Sequence, residues 1–160
     1  MWRGASVFLP VKARSRGTRG YALWNETART KLLEHRTIYD AVAAARVLAM
    51  LNVAYHDATI ACFEAKYTYW LIRPSQLDPD LKTTFPPPSH PSYPAAHACL
   101  STAAATVLAK VFPRDAARLL AMADEASASR LWAGIHYRFD IDAGAALGRQ
   151  VADKVLVRAS

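Results

Sequence analysis

Five charged or titratable side chains occur at spacings that could build a site for a tetrahedral anion. They are three cations and two imidazoles, distributed over three short segments of the chain: Lys66, Arg73, His97, Arg130 and His136. Lysine and arginine neutralise and hydrogen-bond an oxyanion, and a histidine can attack it, ligate it or move a proton. If the fold brings these side chains to one pocket, the sequence predicts a site for an oxyanion such as phosphate or vanadate.

The third segment holds the pair with the clearest geometric meaning. His136 and Asp140 are four residues apart, so on a helix or at its start they lie on one face. The carboxylate can accept from one imidazole nitrogen, which fixes the tautomer and leaves the other nitrogen free to attack or to ligate. Arg130 can fork onto two oxygens of the anion. Taken alone, this segment fits an ordinary surface pair and a solvated arginine better.

Two further segments supply the remaining groups. Lys66 and Arg73 are seven residues apart, two helical turns, so both are predicted to project from one face of a helix that Pro74 ends. His97 follows Pro94 and opens a helix, where unpaired N–H groups favour anions and an imidazole can donate a proton to a leaving oxygen. Each segment by itself is also typical of a structural role, such as snorkelling cations or a capping histidine.

The elements that must position these side chains are helices. Asn25 is the predicted N-cap of a first helix, and apolar residues at three- and four-residue spacing predict a long helix over about residues 39–71. The prolines of residues 75–94 predict a stiff loop with a fixed path over the pocket. Later helices are predicted over about residues 95–111, 115–131 and 140–157. Because no period-two strand pattern occurs, the predicted fold is all-α.

Composition and charge fit one ordered domain. Residues 23–160 are predicted to form a single helical oxyanion-binding domain, preceded by an irregular basic segment over residues 1–22. Hydrophobic residues make up 52% and charged residues 21%, as in globular chains. Much of the net charge of +7 lies in the first twenty residues, so a solvated basic arm explains it and no nucleic-acid partner is expected.

Other residue classes give weaker signals. Cys62 and Cys99 are too few for a disulfide framework or a cysteine zinc site, and we interpret them as small buried apolar residues. The histidines outside the three segments lack a recognisable metal-ligand spacing, which favours surface or core roles: His35, His56 and His90. No convincing signal peptide is visible, and charged residues interrupt the apolar stretch 41–65. The chain is therefore expected to be soluble, without a membrane span.

Together, the three segments resemble the superfamily that joins vanadium-dependent haloperoxidases with type 2 phosphatidic acid phosphatases and bacterial non-specific acid phosphatases. Its pattern is Lys-x6-Arg-Pro, then Pro-Ser-Gly-His, then Ser-Arg-x5-His-x3-Asp. This chain matches the first and third elements in full: Lys66, Arg73, Pro74, Ser129, Arg130, His136 and Asp140. The resemblance runs from about Leu48 to the C-terminus and implies a helical bundle of the haloperoxidase/acid phosphatase type. Members are generally longer, so we expect an incomplete C-terminal portion of that fold, or a core completed by a partner such as a homo-oligomer.

The second element departs from the pattern. Pro94 and His97 match, but Ala95 and Ala96 stand where the superfamily has Ser and Gly, whose hydroxyl and N–H bind the anion. Ala95 cannot supply the hydroxyl, whereas Ala96 keeps its N–H. One hydrogen bond to a charged group is worth about 1.5–3 kcal/mol, so the resemblance implies weakened but retained anion binding.

The resemblance implies a role for each matching residue. The oxyanion would be held by Lys66, Arg73, Arg130 and the Ala96 N–H. In a haloperoxidase, vanadate is the cofactor and His136 is its apical vanadium ligand. His97 assists the activation of hydrogen peroxide, and the activated peroxide oxidises a halide. In a phosphatase, which needs no cofactor, His136 attacks the phosphorus of a phosphomonoester to give a phosphohistidine. His97 then protonates the leaving alkoxide and later activates water, and Asp140 orients His136 in both reactions.

The flanking residues favour the haloperoxidase branch. Residues 51–54, 57–62 and 91–94 resemble the soluble haloperoxidases, and the lack of convincing transmembrane helices disfavours a lipid phosphatase. A third hypothesis is a non-catalytic anion-binding or structural module with a degraded site. Retention of all five charged and imidazole positions argues against it, because a drifting site should lose its cations first.

Overall fold

A computed structural model describes residues 20–160 of the chain. Within this range the chain forms six α-helices and no strand, which confirms the predicted all-α fold. The helices, in chain order, are α1 Gly20–Glu34, α2 Ala41–Tyr69, α3 Pro74–Leu77, α4 Ala96–Val111, α5 Ala116–Trp132 and α6 Arg138–Ala159. Short 3₁₀ turns, Thr37–Tyr39 and Pro113–Asp115, precede α2 and α5.

Helix α4 lies at the centre of the bundle and packs against α2, α5 and α6. Small and apolar residues occur on all of its faces, and nine of its sixteen residues are buried. A helix that is apolar all round is typically enclosed by other helices, and its small side chains allow them to approach closely. The element that carries His97 is therefore the most enclosed helix of the bundle.

The contact between α4 and α6 depends on two glycines of α6. A Cβ atom added at Gly144 would lie 2.5 Å from the carbonyl oxygen of Ala95, and one added at Gly148 would lie 2.1 Å from that of Cys99. Both obstacles are backbone atoms, which cannot rotate away. The Ala95 N–H also donates to the Asp140 carbonyl oxygen at 2.9 Å. This close crossing fixes the start of α4 against the start of α6.

Helix α1 joins the bundle through a hydrophobic cluster that it shares with α2, α4 and α5. Trp24 is a buried member of this cluster, and its indole Nε1 donates to Ser101 Oγ on α4 at 3.3 Å. Beyond it, Lys31 donates to Asp115 Oδ1 at 2.7 Å, which ties α1 to the turn before α5. These contacts hold α1 against α4 and the turn before α5.

The beginning of α1 differs from the prediction. The helix starts at Gly20, so Asn25, the predicted N-cap, lies inside it and donates to the Tyr21 carbonyl oxygen at 2.9 Å. Its side chain also donates to Asn52 Oδ1 at 3.0 Å, and this tertiary contact explains an asparagine within a helix. Residues 20–22 of the predicted irregular segment thus belong to α1, and residues 1–19 lie outside the described residues.

The end of α2 also differs from the prediction. The helix ends at Tyr69, and Trp70 has a left-handed backbone with φ 51° and ψ 41°, its N–H donating to the Lys66 carbonyl oxygen at 2.9 Å. Arg73 lies beyond α2 as the N-cap of the single-turn helix α3. The prediction that one helix face carries Lys66 and Arg73 is therefore wrong. Helix α3 was not predicted in the proline-rich region, but Pro74 suits its first position because no helical N–H bond is needed there.

The cysteines and the helix lengths follow the sequence-based expectations. Cys62 and Cys99 are buried and free, as their interpretation as small apolar residues predicts. Among the helices formed by residues 20–160, none is both long enough and apolar enough to cross a bilayer.

Replacing Gly148 with alanine should destabilise the fold, although alanine is the better helix former. The gain in helix propensity is about 1 kcal/mol. Overpacking costs about 1–3 kcal/mol and sometimes more, and a backbone carbonyl at 2.1 Å leaves nothing that could yield. We expect a lower urea midpoint by circular dichroism. Gln150→Ala, on the exposed face of α6, is the control and should leave the midpoint nearly unchanged. An unchanged midpoint for Gly148→Ala would contradict the close crossing.

Candidate active site

The loop before α4 presents backbone carbonyls that the candidate site residues bind. Residues 88–95 form no regular helix or strand, so most of their carbonyls have no hydrogen-bond donor within the segment. Pro91 lacks an N–H and reduces the number of local donors further. Lys66 Nζ donates to the carbonyl oxygens of Pro91 and Ser92 at 2.7 and 3.0 Å. The Ser92 N–H in turn donates to the Leu71 carbonyl oxygen at 2.8 Å. The loop is therefore held on a fixed path by the C-terminal end of α2.

The buried Arg73 guanidinium joins this loop to the turn between α5 and α6. Its Nε and Nη2 donate to the His90 carbonyl oxygen at 3.1 and 3.0 Å, and Nη2 also lies 3.1 Å from His90 Nδ1. Its Nη1 donates to the Ile135 carbonyl oxygen at 2.7 Å and lies 2.9 Å from His136 Nε2. A guanidinium has five N–H donors and no acceptor, and here every one of them faces an acceptor.

His136 lies just before α6 and is neutral with a defined tautomer. Its Nε2 faces Arg73, which can only donate, so Nε2 is unprotonated and Nδ1 carries the hydrogen. Nδ1 donates to Asp140 Oδ2 at 2.8 Å. Burial lowers the pKa of His136 to about 4, and this effect outweighs the hydrogen bond to Asp140, which raises it. The nitrogen that can attack or ligate is thus Nε2.

Asp140 is fully buried and holds the imidazole from the first turn of α6. Its Oδ2 accepts from Ser92 Oγ at 2.5 Å, from His136 Nδ1 at 2.8 Å and from the Tyr137 N–H at 3.1 Å. Burial alone would raise the pKa of Asp140, but the hydrogen bonds from His136 and Ser92 hold it below its ordinary value. The bond from Tyr137 caps α6, which explains how His136 faces Asp140 although His136 is not helical.

Two residues of this network were not predicted as site residues. Ser92 is fully buried, and besides its bond to Asp140 its hydroxyl lies 3.5 Å from His136 Nδ1. His90 was predicted to have a surface or core role, whereas it contacts Arg73 through both its carbonyl and its ring. Both lie directly before the Pro94–His97 element in sequence, and that proximity was the only available signal. Their contacts depend on the path of the loop, which spacing does not reveal.

Arg130 lies in the last turn of α5 and is 1% exposed. Its Nε donates to Ser129 Oγ at 2.9 Å, and its guanidinium carbon lies 5.6 Å from the centre of the Phe85 ring. Burial lowers the pKa of Arg130 to about 10, so it is protonated at neutral pH. Gly134, with φ 71°, then turns the chain, and the Ile135 N–H donates to the Arg130 carbonyl oxygen at 3.3 Å. This turn brings the end of α5 next to the Arg73 contacts.

The predicted residues of the second segment lie at the start of α4. Ala96 and His97 are the first two residues of the helix, and both are half-buried. As the first residue, Ala96 has an N–H without an acceptor inside the helix. Ala95, which lacks the hydroxyl of the superfamily pattern, is fully buried, and its N–H donates to the Asp140 carbonyl oxygen at 2.9 Å.

The structure thus brings four of the predicted residues into one hydrogen-bonded network and places the other three at two helix ends, Arg130 at the end of α5 and Ala96 with His97 at the start of α4. The network contains Lys66, Arg73, His136 and Asp140, connected through the loop residues His90 and Ser92. In the part of the chain that the structure describes, neither Lys66 nor Arg73 forms an ion pair with a carboxylate. Burial lowers the pKa of Lys66 to about 8, which leaves it mostly protonated at neutral pH. Such an arrangement can bind an anion next to a neutral imidazole.

Ser92→Ala should remove one hydrogen bond from Asp140, the carboxylate that orients His136. A hydrogen bond to a charged group is worth about 1.5–3 kcal/mol, so we expect a loss of that size in the free energy of unfolding at pH about 7. The lost donor also raises the folded-state pKa of Asp140 toward its unfolded value. The difference between wild type and variant should therefore shrink as the pH falls through the depressed pKa of Asp140, where the carboxylate is protonated in both.

Urea unfolding at pH about 7 and about 3 measures this difference. Ser127→Ala is the matched control, because this buried serine donates to the Ala123 carbonyl oxygen at 2.8 Å and, within residues 20–160, forms no hydrogen bond to a carboxylate. Its effect on stability should be the same at both pH values. If the effect of Ser92→Ala were equally independent of pH, the bond to Asp140 would not be its cause.

Comparison with known proteins relates this network to one family. The model of the PAP2 superfamily matches residues 41–154, which include every predicted site residue. Among solved structures, a bacterial vanadium-dependent iodoperoxidase is similar, with 27% sequence identity and a TM-score of 0.80. The match covers 96% of this chain and 44% of the iodoperoxidase, so the chain spans less than half the length of that protein.

Two further solved structures share the architecture at lower identity. LpxE of Aquifex aeolicus has 22% identity and a TM-score of 0.63, with 94% of this chain and 93% of that chain covered. A transmembrane PAP2-type phosphatidylglycerolphosphate phosphatase from Bacillus subtilis has 16% identity and a TM-score of 0.55, with coverages of 95% and 92%. At these identities the likeness concerns the fold alone. A search of curated proteins gives no match. Because the family model spans most of the sequence, this chain belongs to the PAP2 superfamily.

Proposed function

We propose that this chain is a vanadium-dependent haloperoxidase-like enzyme, which binds vanadate and oxidises a halide with hydrogen peroxide. The observation that carries the proposal is the state of His136, a buried neutral imidazole whose Nδ1–H is bound to Asp140 and whose Nε2 faces a buried cation. The likeness to the bacterial iodoperoxidase supports this branch of the superfamily. The proposal concerns the whole reaction, whereas this chain spans less than half the length of the iodoperoxidase.

The residues present fit an oxyanion such as vanadate. Lys66 and Arg73 are buried cations whose hydrogen-bond acceptors are carbonyls and imidazoles, so an entering anion would neutralise charge that is costly to bury. An ammonium group has three N–H donors, and Lys66 uses two of them on loop carbonyls, which leaves one for the ligand. Arg73 would bind the anion by exchanging one of its present acceptors.

The remaining contacts are proposed at the two helix ends. Arg130 would bind oxygens of the anion from the end of α5, and the Ala96 N–H would bind it from the positive end of the α4 dipole. His136 Nε2 would be the ligand of vanadium, because it is the unprotonated nitrogen. His97 would hold or move a proton on a peroxide oxygen. Vanadate, when bound, would supply the activation of hydrogen peroxide toward halide.

A phosphatase reaction is the second candidate, and the same tautomer of His136 supports it. A neutral Nε2 can form a bond to the phosphorus of a phosphomonoester while the ester oxygen leaves with a proton from His97. Water that His97 deprotonates would then attack phosphorus and break the phosphorus–nitrogen bond. Asp140, kept ionised by its hydrogen bonds, would stabilise the positive charge that His136 acquires. This route needs no cofactor.

Orthovanadate should bind the wild-type protein, and His136→Ala should lose that binding. The substitution removes the nitrogen that would ligate vanadium or attack phosphorus, so both enzyme reactions should fall below detection. Calorimetric titration with orthovanadate and with inorganic phosphate measures the binding. His56→Ala, an exposed histidine on α2, is the matched control and should bind as wild type does. If wild type bound neither anion at millimolar concentration, both enzyme candidates would fail.

One paired assay decides between the two reactions. Halide oxidation is measured with vanadate and hydrogen peroxide, and p-nitrophenyl phosphate hydrolysis is measured without vanadate. Vanadate should activate a haloperoxidase and inhibit a phosphatase, so its effect has opposite signs in the two cases. Binding of the anion without either activity would instead identify a non-catalytic anion-binding module.

Phosphate affinity should fall as the pH rises above about 8. Burial lowers the pKa of Lys66 to about 8, and deprotonation there removes a positive charge from the anion site. Each further pH unit should weaken binding by up to about tenfold. Calorimetric titrations between pH about 7 and about 10 measure the decline. Lys66→Met should bind phosphate more weakly at neutral pH and should not show this decline. A decline of equal size in the variant would assign the titration to another group.

A further inference from the structure

A cavity of about 450 Å³ lies beside Arg73, between the end of α2 and the proline-rich loop. Small-molecule sites in proteins occupy about 300–1,000 Å³, so the cavity is large enough for an organic ligand. Two kinds of residue line it. Arg73 offers positive charge and His90 a hydrogen-bonding ring, and Tyr67, Trp70 and neighbouring prolines offer flat apolar surfaces. Of the predicted site residues, Arg73 alone lines this cavity.

Trp70 combines an unfavourable backbone conformation with an exposed side chain at the cavity. Trp70 follows α2 with φ 51° and ψ 41°, a left-handed conformation that costs a residue with a side chain about 1–2 kcal/mol. Glycine or asparagine is usual at this position after a helix. The side chain gains little from burial, because Trp70 is 66% exposed. An unfavourable conformation that holds an exposed indole at a cavity is typical of a binding residue.

A second aromatic ring extends this surface. The rings of Tyr67 and Trp70 have their centroids 5.5 Å apart with planes tilted by 49°, and Tyr67 is itself half exposed. Pro87 and Pro88 line the same cavity from the loop. Proline rings and aromatic faces are flat and rigid, so a planar ring can pack between them with little loss of side-chain entropy.

His90 supplies the polar group of the cavity. Its Nδ1 lies 3.1 Å from Arg73 Nη2 and 3.3 Å from the Pro91 carbonyl oxygen. Arg73 is the closer partner and can only donate, so we assign Nδ1 as an acceptor and place the hydrogen on Nε2. Burial lowers the pKa of His90, which keeps the ring neutral. Within residues 20–160, Nε2 has no hydrogen-bond partner, so it can donate to a ligand oxygen.

We propose that this cavity binds the planar aromatic group of an organic substrate, a phenol or an aryl phosphomonoester, with the oxygen of the substrate toward Arg73 and His90. The inference rests on the proposed function, because Arg73 connects the cavity to the reacting imidazole: its Nη1 lies 2.9 Å from His136 Nε2. It names the substrate class that either reaction would favour.

Phenylphosphonate and methylphosphonate test this inference, because they share the anionic group and differ in the ring. By calorimetric titration of the full chain, wild type should bind phenylphosphonate about tenfold more tightly, as expected for one aromatic packing contact. In Trp70→Gly this preference should fall below about twofold, while the affinity for methylphosphonate stays unchanged. The variant should unfold at the same or a higher temperature, because glycine adopts φ 51° without strain.

Trp132→Ala is the matched control, since this tryptophan is also partly exposed and does not line the cavity. It should keep the preference for the phenyl compound. An equal affinity of wild type for both phosphonates, or a preference that survives in Trp70→Gly, would overturn the inference and leave the proposed function standing. If neither phosphonate nor inorganic phosphate binds, the proposed function fails, and phenol decides the cavity alone. Phenol binding that Trp70→Gly weakens at least about fivefold would uphold it, and no such loss would overturn it.

Discussion

The burial of one guanidinium organises the candidate site. A buried charge without hydrogen-bond acceptors costs several kcal/mol, so Arg73 must be surrounded by acceptors wherever the chain places it. The acceptors come from two segments far apart in sequence, His90 in the proline-rich loop and Ile135 with His136 in the turn before α6. Because the same five N–H donors serve both segments, neither can move without leaving part of the guanidinium unsatisfied. The relative position of loop and turn therefore follows from the chemistry of one side chain.

Burial and the contact with Arg73 together keep His136 unprotonated, and burial has the larger effect. A histidine beside a carboxylate commonly has a raised pKa, since the negative charge favours the imidazolium. Here a cation approaches Nε2 while Asp140 accepts from Nδ1, and burial has the largest effect, so the pKa falls to about 4. The result is an imidazole that donates on one side and offers a lone pair on the other. Both reactions considered for this superfamily member require that polarity.

The sequence predicted the helices and singled out four residues that the structure joins in one hydrogen-bonded network, but it did not predict how they meet. Helix α4 was predicted within one residue at each end, because its apolar run is bounded by prolines. Lys66 and Arg73 were assigned to one helix face, yet they converge because both donate to carbonyls of the same loop. Ser92 was not predicted as a site residue because it also lies in this loop. Loop residues without regular secondary structure have no period, so their positions depend on tertiary hydrogen bonds that spacing does not encode.

The enclosure of the two cysteines has a consequence for a protein that would work with peroxide and halide. Cys62 on α2 and Cys99 on α4 are the only cysteines of the chain, and both are fully buried in the cluster beneath the start of α4. Oxidation of a thiol requires access by the oxidant and depends on thiolate character. Dense packing around these sulfurs would keep dissolved peroxide and hypohalous products from reaching them. The proposed reaction could then use and release oxidants without modifying the core that supports the candidate site.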